Sequence, residues 1–174
     1  MSFENPAIET LLIPRAEEVI LEPVNSNYYK VILYNQLIFW GIFALAIAAA
    51  LFLIDELRSM PIISGIIFTY LITLFLNIWL SRLSFINKAY AIRQHDIIYQ
   101  TGWLVKRMHI CPFTRIQHCS INSGIFERKF GLAKLSVYSA GGDDSDISIP
   151  GLTISRAQDL RELIIQKSAM DGTN

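Results

Sequence analysis

From Val31 to Ile54 the chain reads VILYNQLIFWGIFALAIAAALFLI, a run without a single charged residue. After DELRSMP (Asp55 to Pro61) a second charge-free run follows, IISGIIFTYLITLFLNIWL, from Ile62 to Leu80. As a helix the first run rises about 36 Å, enough to cross a hydrocarbon core of about 30 Å with some tilt. In lipid every backbone polar group must be bonded internally, so helices are the form open to such segments. A buried core hairpin fails on size, because the rest of the chain is too small to wrap two apolar helices of this length. Composition agrees: 17% of the 174 residues are charged, against about 25% in ordinary globular domains.

The two runs predict a transmembrane hairpin, with spans at 31–54 and 62–81 joined by a short external loop, 55–61. Pro61 stands where a first-turn proline costs no hydrogen bond. Asn35, Gln36 and Asn77 fall near the span ends, where the interface hydrates them, and Tyr34, Trp40 and Trp79 read as interfacial aromatics. Gly41, Ala44, Ala46 and Ala48 to Ala50 offer small residues for close packing against a partner helix. Neither span reads as a signal peptide, since the first lies behind an acidic segment. Arg58 is the loop's one basic residue, beside Asp55 and Glu56, whereas Lys30, Arg82, Lys88 and Arg93 flank the spans on the other side. Positive residues stay in the cytoplasm, so both termini are expected there, with residues 1–30 forming a cytoplasmic arm. Pro6, Pro14 and Pro23 break that arm. Within it only AEEVILEP, Ala16 to Pro23, predicts a short strand or one helical turn.

Beyond residue 82 the pattern changes to short alternating runs separated by turn residues, which predicts antiparallel strands. Ala89 to Arg93, Ile97 to Thr101, Trp103 to Cys111, Arg115 to Ile121, Leu132 to Ser139 and Asp146 to Ile149 are the expected strands, the last ending at Pro150-Gly151. Gln94 to Asp96, Asn122 to Gly124 and Ala140 to Ser145 are expected turns. Ile125 to Phe130 suits a single helical turn, capped by Gly131 in a left-handed conformation. The chain closes on a helix over about 154–169, with Ser155 and Gln158 as a capping box. Ala157, Leu160, Leu163, Ile164 and Ala169 form its apolar stripe. Such a helix plugs the open face of a sheet. The fold class is therefore membrane α+β: a two-helix transmembrane hairpin, then an antiparallel β domain over 82–174 closed by a C-terminal α-helix.

The order of ICPFTRIQ (Ile110 to Gln117), FERKFGLAKLSVYSAGG (Phe126 to Gly142) and ISIPGLTISRAQDL (Ile147 to Leu160) behind two membrane spans resembles the bacterial pleckstrin-homology (PH) domain membrane proteins of the YdbS type. The likeness runs from Pro23 onward and departs at Cys111 and Cys119, where apolar residues are expected. It implies a PH-like fold of two antiparallel sheets closed by the final helix, in the bacterial cytoplasmic (inner) membrane. It implies no catalytic residues. PH-like folds host many binding roles, so fold does not settle function.

No GxSxG, HExxH, Walker A or GxGxxG pattern is present, and no enzyme is expected. Asp143, Asp144 and Asp146 lack the sixth-position glycine and final glutamate of a calcium loop and read as a solvated turn. His109 with Cys111, and His118 with Cys119, supply at most three ligands if their strands meet, short of a four-ligand zinc site. No metal or cofactor is expected; the two cysteines read as small core filling, reduced in a cytoplasmic domain. From Arg82 onward twelve basic residues oppose eight acidic ones. Among them Lys106-Arg107 and Arg128-Lys129 are candidate contacts to anionic lipid. No basic stripe interleaves with aromatics, so no nucleic acid is expected. The expected role is a scaffold or assembly subunit of a membrane complex. Its partners are membrane lipids and another membrane protein, a second PH-domain subunit among the candidates. Anionic-lipid sensing is the alternative, and metal-dependent catalysis a distant one.

Overall fold

The structure, a computed structural model, describes residues 19–139 and 147–171. The arm before residue 19, and the turn with Asp143, Asp144 and Asp146, lie outside the described residues. A two-residue strand β1 (Glu22–Pro23) leads into α1 (Asn27–Leu53), a 3₁₀ turn (Asp55–Arg58) and α2 (Met60–Ile86). Both helices have 27 residues, about 40 Å of rise. No residue in the most apolar window of either is buried. Leu37, Phe39, Phe52 and Phe75 are all exposed, as side chains facing lipid must be.

The helices run longer than expected, α1 from Asn27 rather than Val31 and α2 to Ile86 rather than residue 81. At the start, Asn25 Oδ1 accepts the Asn27 N–H at 2.9 Å. At the end, Arg82 does not stop α2, because a long cationic side chain reaches the headgroups while its stem stays apolar. Phe85 then packs on Tyr29 of α1, ring centroids 5.5 Å apart. Asn87 Nδ2 closes the helix by donating to the Leu83 carbonyl at 2.8 Å. In the loop, Arg58 pairs with Asp55 at 2.6 Å. It also donates to the Leu51 and Phe52 carbonyls, satisfying groups that the end of α1 leaves open.

Two polar contacts cross the hairpin. Gln36 Nε2 donates to Asn77 Oδ1 at 2.9 Å and to Ser81 Oγ. Tyr70 Oη donates to the Trp40 carbonyl at 3.0 Å, with the two rings edge-on. Trp40 thus makes a contact across the hairpin. Ala44 and Ala48 face Ile66, Ile67 and Tyr70 of α2, where small residues let the helices approach.

Two antiparallel sheets form the rest. The first has order β1-β2-β3-β4, with β2 (Ala89–Ile92), β3 (Asp96–Thr101) and β4 (Arg107–Pro112). A 3₁₀ turn (Phe113–Arg115) leads to the second, β5-β6-β7, made of β5 (Ile116–Asn122), β6 (Leu132–Ser139) and β7 (Ile147–Thr153). Between β5 and β6 sits α3 (Ile125–Lys129), and α4 (Ile154–Asp171) ends the described chain. Among the described residues the sheets are not hydrogen-bonded into a closed barrel. Between them Ile97, Phe113, Leu135, Val137 and Ile149 are fully buried, with Ala157 and Ile164 of α4 across their open side. Each large apolar side chain so buried contributes about 1.5–3 kcal/mol.

Four sequence expectations shift. Trp103 to Lys106 is the β3–β4 loop rather than strand, because Thr101 pairs with Arg107 and the chain must reverse between them. β7 passes through Pro150-Gly151 instead of ending there. A register shift against Ala133–Leu135 gives it an extra residue, and Gly151 supplies the bulge with φ +69°. The helix starts at Ile154, so Thr153 rather than Ser155 caps it, its Oγ1 accepting the Arg156 N–H at 3.2 Å. Leu163 is 40% exposed, and Ala169 is exposed too. The buried stripe narrows to Ala157, Leu160 and Ile164 because α4 meets the sheets along one line.

Candidate functional site

The most distinctive arrangement is the junction of the hairpin with the β domain. Asn87 and Lys88 alone separate α2 from β2. On the other side, β1 pairs with β2, Glu22 opposite Tyr90 and Pro23 opposite Ala89. The Val24 N–H donates to the Lys88 carbonyl at 3.3 Å and the Asn25 N–H to the Gly151 carbonyl at 3.0 Å. Val24 and Val31 are buried here. The chain therefore enters and leaves the hairpin through bonded backbone, not through a linker.

Two side-chain clusters add to this. Arg156 of α4 donates to both carboxylate oxygens of Glu22, at 3.1 and 2.8 Å, and to Tyr90 Oη at 3.4 Å. The Tyr90 hydroxyl, and then Arg156, hold the Glu22 carboxyl below its usual pKa. These bonds likewise raise that of Arg156, which stays cationic throughout. On the far side, Tyr34 of α1 stacks on Phe126 at 5.6 Å and lies 5.8 Å from Phe130. Lys30 sits over Phe130 and Lys129 over Tyr34, at 5.9 and 5.4 Å. Tyr34 thus holds α3 against α1 instead of marking membrane depth alone. α3 is built for this place: Glu127 Oε2 accepts the Gly124 N–H at 2.8 Å, and Gly131 ends the turn with φ +65°.

The four basic candidates divide between two elements. Arg128 and Lys129 are exposed on α3; Lys129 lies over Tyr34 and Arg128 donates to the Ser123 carbonyl at 3.4 Å. Lys106 and Arg107 are exposed at the start of β4, where Lys106 borders a recess with Leu21, Gln100 and Met108. Sequence reasoning missed what precedes them. Trp103, Leu104 and Val105 are 43%, 77% and 61% exposed at the tip of the β3–β4 hairpin. Three consecutive apolar residues, where alternation would mark a strand, were the signal.

Of the histidine and cysteine candidates, Cys111 and Cys119 approach each other at the core, while the histidines lie apart on different sheets. His109 pairs across to Tyr99 and is exposed, whereas Cys111 is buried in the core. His118 stacks on Tyr138 at 4.3 Å, in the other sheet. Cys119 packs beside the core, and burial pushes its thiol up to about 11. Among the described residues no group of three or more His, Cys, Asp or Glu is placed to hold a metal ion.

A family model described as bacterial PH domain matches residues 36–168. The chain belongs to the bacterial PH domain family. The match takes in most of both helices as well as strands β2 to β7. The transmembrane protein YdbS of Bacillus subtilis (strain 168) is 32% identical over 75 residues, 43% of this chain. The aligned part spans 45% of that relative's length. No solved structure matches. The chain is a membrane protein carrying a bacterial PH domain, similar to YdbS.

Proposed function

We propose that this protein is a non-enzymatic assembly subunit that holds its PH domain at a fixed angle on the cytoplasmic face of a bacterial inner membrane, for another membrane protein to bind. The observation that carries the reading is the linker-free junction. A domain that only needed to be near the membrane could hang from a flexible tether. One joined through β1, Asn25–Gly151 and the Tyr34–Phe126 stack presents its surfaces in one orientation, which lowers the entropic cost of docking. The spans cross twice, with both termini cytoplasmic. That side carries Lys30, Arg82, Lys88 and Arg93, while Arg58 in the outer loop is neutralised by Asp55. A second PH-domain subunit is a suitable partner, and α4 offers exposed Leu163 and Ile165, one on each side of buried Ile164, as docking positions. No nucleic acid is involved.

The test is photo-crosslinking in native membranes, with a crosslinker in place of Leu163 or of Ile165. Discrete adducts to one other membrane protein, identified by mass spectrometry, are the expected result. No adduct from either position, at normal expression, overturns the reading.

A further inference from the structure

The β3–β4 hairpin ends in Trp103, Leu104 and Val105, all exposed, followed directly by exposed Lys106 and Arg107. Folded proteins avoid runs of three exposed apolar residues unless something covers them. The topology says where this tip lies. β2 leaves the end of α2, β3 runs back antiparallel to it, and Gln100 pairs with Ala89. Thr101 Oγ1 accepts a bond from Lys88 Nζ at 3.4 Å, so the tip begins level with the residue two past the end of α2. Gly102 to Val105 therefore return toward the side from which the helix arrives.

Lengths agree. The charge-free part of α2 ends at Leu80, and its last six residues, 81–86, rise about 9 Å for a helix near the bilayer normal. Trp103 and Leu104 lie in the five-residue turn 102–106 between paired Thr101 and Arg107, so they reach back from Thr101 by less than the extended limit of about 10 Å. The tip thus reaches into the headgroup layer that the end of α2 has crossed. Its turn is tightly built: Gly102 has φ +101°, and a Cβ there would strike the Val105 carbonyl. Tryptophan suits the interface, aliphatic residues suit the acyl boundary, and Lys106, Arg107 and partly buried Lys88 match anionic headgroups.

We propose that the Trp103–Val105 tip inserts into the same bilayer that α1 and α2 span, with Lys106 and Arg107 on anionic headgroups, giving the PH domain a third point of membrane attachment. This rests on the membrane reading of the helices and not on the assembly role. Crosslinks from α4 test that role, and the tip tests this one.

The experiment places a nitroxide at Leu104→Cys in the full chain, reconstituted in phosphatidylglycerol-containing or purely zwitterionic vesicles. Gln166→Cys on α4 serves as the aqueous control, and the unsubstituted chain, treated alike, gives the label background. In anionic vesicles the tip label should collide with oxygen several-fold more, and with a water-soluble nickel chelate several-fold less, than the control. Lys106→Gln with Arg107→Gln, or high salt, should restore chelate access. A tip label as open to the chelate as Gln166→Cys overturns the proposal. So does one shielded from both reagents, which would mean that protein covers the tip. Equal burial in zwitterionic vesicles, or in the K106Q/R107Q chain, overturns the role given to the two cations.

Discussion

The Cβ of Tyr28 stands 2.6 Å from where a side chain on Gly151 would begin. Tyr28 lies in the first turn of α1 and Gly151 at the bulge of β7, so anchor and domain meet closely here. This contact explains a glycine inside a strand: φ is +69° and there is no room for a methyl group. Gly131 provides the control, with φ +65° and nothing within 4 Å of its own added Cβ. Gly131→Ala should cost about 1–2 kcal/mol for the backbone alone. Gly151→Ala should add the steric term and cost about 2–4 kcal/mol in all. Thermal unfolding in detergent gives the order. Equal losses would show that the junction yields freely at Tyr28.

Glu22 and Arg156 lie far apart in sequence yet join β1 to α4 at 2.8 Å. Because the folded carboxyl sits below its ordinary value, the pair contributes stability above the unfolded carboxylate pKa. That contribution is lost as pH falls through the lower, folded value; Arg156 stays charged throughout. Both side chains are about half exposed, so the contribution at neutral pH is about 1 kcal/mol or less. Glu22→Gln should therefore be slightly less stable than the parent at pH 7, with the gap closing as pH falls through the folded carboxyl's lowered value. A gap that stays constant across that range would remove the carboxylate from the account.

Periodicity put Leu163 and Ile164 on the same apolar stripe of α4, and burial separates them. Ile164 is fully buried, while Leu163 is 40% exposed. Ile164→Ala should cost about 2–5 kcal/mol, whereas Leu163→Ala should stay within about 0.5 kcal/mol. Denaturant unfolding of the two variants decides it. A large loss at Leu163 would mean that a partner copy covers that face.

This contrast shows what the sequence could and could not carry. The absence of charge announced α1 and α2, because lipid tolerates no compromise there, but Arg82 suggested too early an end. Alternation found β2, β3, β5 and β6 nearly to the residue, since their register depends on inward-facing residues. It misjudged β7, because the bulge at Pro150-Gly151 exists only relative to Ala133–Leu135 on the neighbouring strand. The Thr153 cap was hidden for a related reason, as Thr153 and Ser155 can each cap a helix until the end of β7 is known. Of the site, Lys106, Arg107, Arg128 and Lys129 were visible as charges, but not their setting. Tyr28–Gly151, Glu22–Arg156 and Gln36–Asn77 join residues remote in sequence, and local patterns carry no trace of them.

The loop between the spans offers the last prediction. Arg58 is the one basic residue between the spans, and three interactions account for it: the bonds to the Leu51 and Phe52 carbonyls and the Asp55 ion pair. Read this way, Arg58 caps α1 and carries little weight as a topology signal, so both termini should face the cytoplasm. In intact cells a membrane-impermeant maleimide should label Ser59→Cys, in the loop, but should reach Gln166→Cys, on α4, only after lysis. Cys111 is buried and the Cys119 thiol is pushed up to about 11, so background labelling of the native thiols should be slow. Arg58→Gln should keep this pattern while lowering stability slightly through the lost cap. Labelling of Gln166→Cys from outside would invert the topology and place the PH domain on the opposite face.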